Sequence, residues 1–261
     1  MKRKSFSEIW KYRELLFFLA WRDVKIRYRQ TALGAAWAVI QPLFTMLVFT
    51  LLFGKITKVP SDGIPYPIFA YSALLLWTYF SVTLGGATSS LVGNADLIRK
   101  VYFPRTALPA SAILANLLDL LIAAVFLFLL MGYYRIRPSW GLLFLPLLIL
   151  QVVIFAFGGG LILAALNVKY RDIKHALPFV MQLWMFLTPI IYPISVIPQR
   201  FRMFMALNPL AGIVETARAC LFPSRHVDWH LLSVSIAMTL ITSMIGMAYF
   251  RRAERDFGDI I

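Results

Sequence analysis

The sequence predicts an all-α, polytopic membrane protein with six transmembrane helices. Three observations lead there. Uncharged windows lie at 30–54, 63–95, 106–134 (broken only by Asp119), 138–168, 175–199 and 229–250. Each reaches the roughly 20 apolar residues that a helix rising about 1.5 Å per residue needs to cross a hydrocarbon core about 30 Å thick. The chain is 60% apolar and 15% charged, against about 45–50% and about 25% in soluble domains. A single span in lipid must be helical, because an open strand would leave backbone groups unpaired. Six spans with short loops use up the 261 residues and leave no room for a soluble catalytic domain.

The first element precedes the spans. Residues 1–30 read as a basic amphipathic helix lying in the cytoplasmic interface. Ser5 and Glu8 stand at capping-box spacing. Phe6, Trp10, Phe17, Trp21, Val24 and Tyr28 recur at steps of about a helical turn, with Lys11, Arg22, Lys25 and Arg29 between them. Such a helix serves either as a plain positive anchor or as a dock for a partner. The start, Met1-Lys2-Arg3-Lys4-Ser5, opens a polar-aromatic segment rather than the apolar core of a cleaved signal peptide.

Residues 31–250 hold the six spans. Between spans five and six, 193–228 is too apolar for an ordinary loop, since Met203 to Val214 carries no charge. Pro198, Pro209 and Pro223 break it too often for two further spans. Two short re-entrant helices over 198–206 and 210–221 fit instead. Irregular backbone at membrane depth is tolerated only inside protein or along a water-filled cavity, so this segment is expected to line the outer mouth of a conduit. Glu215 and Arg218, three apart, share a helix face. Glu215 is expected to bond to Arg218, to a backbone group or across a dimer, unless both charges face outer water. Residues 251–261 form a cytoplasmic tail.

Charge sets the orientation. The tail 1–29 and the segments 93–105, 167–175 and 251–261 carry 18 Lys and Arg, and the opposite side carries eight. The positive-inside rule puts both termini in the cytoplasm. The net charge of +14 therefore reads as topology and lipid headgroup contact, not as nucleic-acid binding, for which no recognition module is present. One cysteine, Cys220, excludes an internal disulfide and a thiolate metal cluster. His226, Asp228 and His230 read as a polar interfacial loop rather than a metal site. No nucleophile and base stand together, so the chain is not expected to be an enzyme. No Gly-rich phosphate loop followed by Lys-Ser/Thr occurs, so ATP-driven work needs the ATPase of another subunit.

Within the spans, Asp119 is the one acid, with Asn116 a turn before it. Proton coupling and a buried structural hydrogen bond both remain open, and the absence of a basic partner in the spans makes the first poor. Trp37, Phe44, Trp77, Trp184 and Tyr192 are candidate channel-lining aromatics, or else packed against lipid or core. Aromatic faces suit a sliding sugar chain. Gly85-Gly86 and Gly158-Gly159-Gly160 read as packing or hinge positions.

Two loops on the basic side complete the reading. The first runs Asn94-Ala95-Asp96-Leu97-Ile98-Arg99-Lys100-Val101-Tyr102-Phe103-Pro104-Arg105, and the second Asn167-Val168-Lys169-Tyr170-Arg171-Asp172-Ile173. With them go Trp21-Arg22-Asp23-Val24-Lys25-Ile26-Arg27-Tyr28, Leu33-Gly34-Ala35-Ala36-Trp37, Gln41-Pro42 and Asn208-Pro209 with Glu215. Together these motifs resemble the membrane subunit of ABC-2-type exporters, and more closely the permeases for O-antigen, teichoic acid and related lipid-linked polysaccharides. The resemblance covers the whole chain. It implies a homodimer in a bacterial inner membrane, paired with two cytoplasmic ATPase subunits that hold the ATP and Mg, while this chain itself holds no cofactor. It implies that Leu97, Ile98, Arg99, Lys100, Val101, Tyr102, Phe103, Pro104 and Arg105 couple to the ATPase. Trp21, Arg22, Asp23, Lys25, Arg27 and Tyr28 would form the interface helix beside them, with Tyr170, Arg171 and Asp172 in the second loop. Asn208, Pro209, Glu215 and Arg218 would belong to the outer gate. An ABC-2 exporter of drugs or small lipids has the same architecture. A membrane enzyme acting on lipid-linked sugars would need clustered acids or histidines at one face, and none occurs.

Overall fold

The computed structural model describes residues 12–29, 34–137, 139–255 and 257. The expected capping box at Ser5 and Glu8, with Phe6 and Trp10, lies outside them. Among the described residues every regular element is helical. Helix α1 is Arg13–Arg29, and α2 is Trp37–Phe49, which runs on as a π-helical stretch, Thr50–Ile56. Then come α3 (Tyr66–Gly93), the short α4 (Ala95–Lys100), α5 (Ala107–Tyr133) and α6 (Leu145–Lys169). They are followed by α7 (Ile173–Phe186), α8 (Gln199–Ala206), α9 (Pro209–Leu221) and α10 (Trp229–Ala253).

Five helical stretches are long and apolar enough to cross a membrane: Trp37–Ile56, Tyr66–Gly93, Ala107–Tyr133, Trp140–Lys169 and Trp229–Ala253. The remaining expected span, 175–199, is helical only through α7, which has 14 residues. At about 1.5 Å per residue it reaches about 21 Å, short of a core about 30 Å thick. Proline explains the shortfall. Pro178 sits inside α7 without an N–H to donate, the chain turns over 187–190, and Pro189 and Pro193 stand beyond.

The long helices give the bundle two ends. The basic end gathers α1, the segments 94–106 and 170–172, and the end of α10. The far end gathers the segments 57–65, 134–144, 187–198 and 222–228. Helix α3 forms the axis and buries 19 of its 28 residues. It contributes to two apolar cores. A large one extends to the far end around Phe69, Trp77, Phe80 and Phe155. A smaller one at the basic end joins Leu19, Leu91, Phe103, Leu108, Leu161, Phe250 and Phe257. By contrast only Pro42, Met46 and Phe49 are buried in α2.

Small residues let two crossings close up. A Cβ on Gly246 would stand 2.2 Å from the Gly158 carbonyl oxygen, so α6 and α10 touch backbone to backbone there. A Cβ on Gly160 would meet the Ala87 side chain at 2.9 Å, which draws α6 against α3. Gly85 and Gly86 do not share this role. A Cβ on Gly85 meets nothing within 4 Å, and one on Gly86 makes only ordinary contact with Ala112.

Candidate functional site

At the basic end, Asn94 ties three elements together. Its Nδ2 donates to the Ser90 carbonyl at 2.8 Å, and its Oδ1 accepts from Arg22 Nη2 at 3.0 Å. Helix α4 then turns half-buried Leu97 and Ile98 onto the smaller core and leaves Asp96, Arg99 and Lys100 exposed. The chain then leaves the helix in an extended conformation at Val101. Val101 is exposed, Tyr102 is 84% exposed, and Phe103 is 6% exposed inside the core. Pro104 and Arg105 return the chain to α5, and Arg105 Nη1 donates to the Glu254 carbonyl at 2.8 Å while lying over the Phe257 ring. The structure thus divides the expected coupling residues. Arg99, Lys100, Val101 and Tyr102, with Asp96 outside that set beside them, form the outward surface, and Phe103 anchors the loop from within. At the same end, Tyr170, Arg171 and Asp172 are all exposed.

Helix α1 exposes apolar side chains together with charged Arg13, Glu14, Lys25 and Arg29. Phe17, Phe18, Trp21 and Ile26 point out, while Leu19 enters the smaller core. Polar groups turn inward: Arg22 to Asn94, Asp23 to Ser111, and both Arg27 and Tyr28 to Asp119 on α5. Lys25 is exposed. The partner of the intramembrane acid is therefore the helix that precedes the spans. Burial, then the hydrogen bond to Asp119 and its charge, hold the Tyr28 phenol above its usual range, so it serves as a neutral donor.

At the far end, all 13 residues of α9 are buried. Asn208 caps it by accepting from the Leu210 amide at 3.2 Å, and its Nδ2 reaches Thr188 Oγ1 at 2.9 Å. Pro209 opens the first turn, where a missing N–H costs nothing, and its carbonyl accepts from Ser235 Oγ at 2.7 Å. Arg218 is fully buried. Its Nη1 donates to the Pro189 carbonyl at 2.6 Å and to Glu215 Oε1 at 2.9 Å. Its Nη2 donates to the carbonyls of Ile190 at 2.9 Å and Phe69 at 3.2 Å, and its guanidinium stacks 3.5 Å from the Phe69 ring centroid. One planar fork thus joins α3, the turn after α7 and α9. Glu215 Oε2 accepts from Arg225 Nη1 at 2.6 Å, and Arg225 Nη2 pairs with Asp62 in the α2–α3 loop. Asp62 also accepts from Ser195 Oγ at 2.8 Å. The expected Glu215–Arg218 pair is present, and it is the centre of a larger network.

The candidate lining aromatics separate. Trp37 and Phe44 are exposed on α2. Trp184 is half-buried, edge-on to Phe80 and Phe155, and the Tyr192 hydroxyl donates to the Phe186 carbonyl at 2.8 Å. Trp77 is only 6% exposed within the large core, so it presents no surface to a conduit.

The profile of the ABC-2 type transporters matches residues 14–222, from the start of α1 through the end of α9. The chain belongs to that family. Its similarity to an O-antigen export system permease protein of Myxococcus xanthus is 32% identity over 97% of this chain and 98% of the relative. An O-antigen export system permease protein of Klebsiella pneumoniae is 28% identical over 95% of each chain. A polysialic acid transport protein of Escherichia coli is 26% identical over 89% of this chain and 91% of its own. The ABC-2 match takes in α1, the 94–105 loop, the 170–172 turn and the α9 clamp together.

Sequence reading missed Arg225 as a partner of Glu215, Asp62 as a partner of Arg225, and Arg27 and Tyr28 as partners of Asp119. Asp62 did carry a local signal. It precedes Gly63 in a Pro60-Ser61-Asp62-Gly63 turn and takes a positive φ of 51°.

Proposed function

We propose that this chain is the membrane-spanning permease of an ATP-driven exporter that moves a lipid-linked polysaccharide of the O-antigen type across the bacterial inner membrane. The observation that carries the reading is the near-full-length similarity to O-antigen export permeases. In this reading two copies form a homodimer around a conduit, and two cytoplasmic ABC ATPase subunits supply ATP hydrolysis. The basic end faces the cytoplasm, as its excess of Lys and Arg favours. Exposed Arg99, Lys100, Val101 and Tyr102, with Tyr170, Arg171 and Asp172 at the same end, offer the ATPase an apolar centre with a charged rim. The sixth crossing is α7 extended by the turns to Tyr192. Helices α8 and α9 re-enter from the far side, and the Arg218 network holds the outer mouth closed. Exposed Trp37 and Phe44 line the conduit.

The test is genetic and biochemical. Deleting the gene in a host that makes such a polymer should abolish surface polymer and leave it inside the cell. Export should return with this chain together with its ATPase and not with either alone. Unchanged surface polymer after deletion would overturn the reading.

A further inference from the structure

We infer that the cavity of about 260 Å³ bounded by the end of α1, the start of α2, α3 and α5 is a subsite for one uncharged sugar ring. Its natural ligand, a sugar of the exported polymer, rests on the function proposed above. Trp37, Gln41, Asn116, Asp119, Arg27 and Tyr28 supply the relevant lining.

The argument begins with cost. A partly exposed ion pair on a membrane span needs a reason, because intramembrane charge is unfavourable. Asp119 and Arg27 keep 24% and 38% of their side chains exposed. Side by side they present an acceptor and a donor with no net charge. A phosphate would meet the Asp119 carboxylate at the same place as Arg27. A polyol, whose hydroxyls both donate and accept, can use both groups. Asn116 Nδ2 is committed to the Ala112 carbonyl at 2.8 Å, and its Oδ1 has no partner among the described residues. Trp37, 53% exposed, adds an aromatic face for the C–H side of a sugar ring. Apolar walls with a few polar groups are the usual make-up of a small-molecule site, and this cavity lies just below the about 300–1,000 Å³ of drug-sized pockets. Its position suits loading. Trp37 opens α2, and Asp119 is the 13th of 27 residues in α5, so the cavity lies near the middle of the bundle, within reach from the basic end along α2.

The test places benzoylphenylalanine at Gln41 on the cavity rim. Met244, exposed on α10, carries it as the control position. The full-length chain in nanodiscs is irradiated with octyl β-D-glucoside, or with lauryldimethylamine oxide, an amphiphile without a sugar, and adducts are read by intact mass. At Gln41 the glucoside should label about tenfold more than the amine oxide, and at Met244 the two should label alike. Asp119→Asn and Trp37→Ala should each remove most of the Gln41 preference while Met244 labelling stays unchanged, which excludes general misfolding. Equal labelling by both probes at Gln41, or a preference undiminished in both variants, overturns the subsite. In polymer-producing cells a glycan ladder on the Gln41 variant supports it, and export without any such adduct overturns it. If deletion of the gene leaves surface polymer unchanged, the proposed function fails alone, and the glucoside selectivity still decides the subsite.

Discussion

The Arg218 guanidinium meets three backbone carbonyls, one carboxylate and one aromatic face while fully buried. Substituting Met would strand those carbonyls and leave Glu215 with Arg225 alone. Breaking a buried pair costs about 3–5 kcal/mol. Arg218→Met should therefore lower the melting temperature in detergent sharply, and Arg218→Lys should rescue little, because an ammonium has no planar fork. Wild-type stability for the Met variant would contradict the clamp. Glu215→Gln keeps an oxygen acceptor for Arg218 and removes the charge shared with Arg225. We expect an assembled protein with raised ion leak in liposomes, and an unchanged leak would remove Glu215 from the closure. The Glu215–Arg218 pair was legible because helix geometry places residues three apart on one face. Arg225 and Asp62, 163 residues apart, were not, since no local pattern encodes which loops meet. The same holds for Arg27 and Asp119.

At the scale of elements, the 94–105 loop separates surface from anchor. Tyr102→Ala should leave a stable, membrane-inserted chain that recovers less ATPase on copurification. Phe103→Ala should instead lower stability by about 3–5 kcal/mol, as expected for a buried Phe. Comparing melting curves with ATPase recovery tells the two apart, and full recovery with Tyr102→Ala would deny that side chain a docking role. Composition showed that this loop mixed apolar and basic residues. It could not show that the chain after α4 exposes Val101 and Tyr102 and turns Phe103 inward. The helix crossings make a similar contrast. Gly246→Val should abolish accumulation of folded protein, because its side chain would invade the Gly158 backbone. Gly85→Ala should be tolerated and gain about 0.5–1 kcal/mol of helix stability, measurable as a small rise in melting temperature. Sequence spacing could not distinguish these glycines, since small residues mark close approach only where another helix is present. Helix boundaries were more legible. The expected short helices at 198–206 and 210–221 correspond to α8 and α9, whereas prolines shortened the expected span at 175–199 more than its composition suggested.

For the whole molecule, orientation is the open quantity most easily measured. Cys220 is a poor reporter, since it is 2% exposed and burial raises its thiol pKa. In a Cys220→Ala background, exposed Arg200 and Asp96 mark the two ends. Arg200→Cys should react with a membrane-impermeant maleimide in intact spheroplasts, and Asp96→Cys only after the membrane is opened. The reverse pattern would invert the topology proposed from the charge count.

The burial of α3 also bears on how the protein is made. A chain emerging from its N-terminus completes residues 66–93 before α5, α6 and α9, which cover most of them, exist. Until then Ser72, Thr83, Thr88 and Ser90, all buried in the finished fold, lack most of the helices that will surround them. Their surroundings arrive in sequence. Asn167 donates to the Thr88 carbonyl at 3.0 Å, and Arg218 later reaches the Phe69 carbonyl at 3.2 Å. Synthesis thus has a long interval in which the future axis is the least protected part of the nascent protein. A chain stopped after residue 206 keeps α5 and α6 but leaves the Phe69 end of α3 without α9. Pulse-chase of such a truncation should show rapid proteolysis within α3, with the full-length chain resistant once α9 has been made.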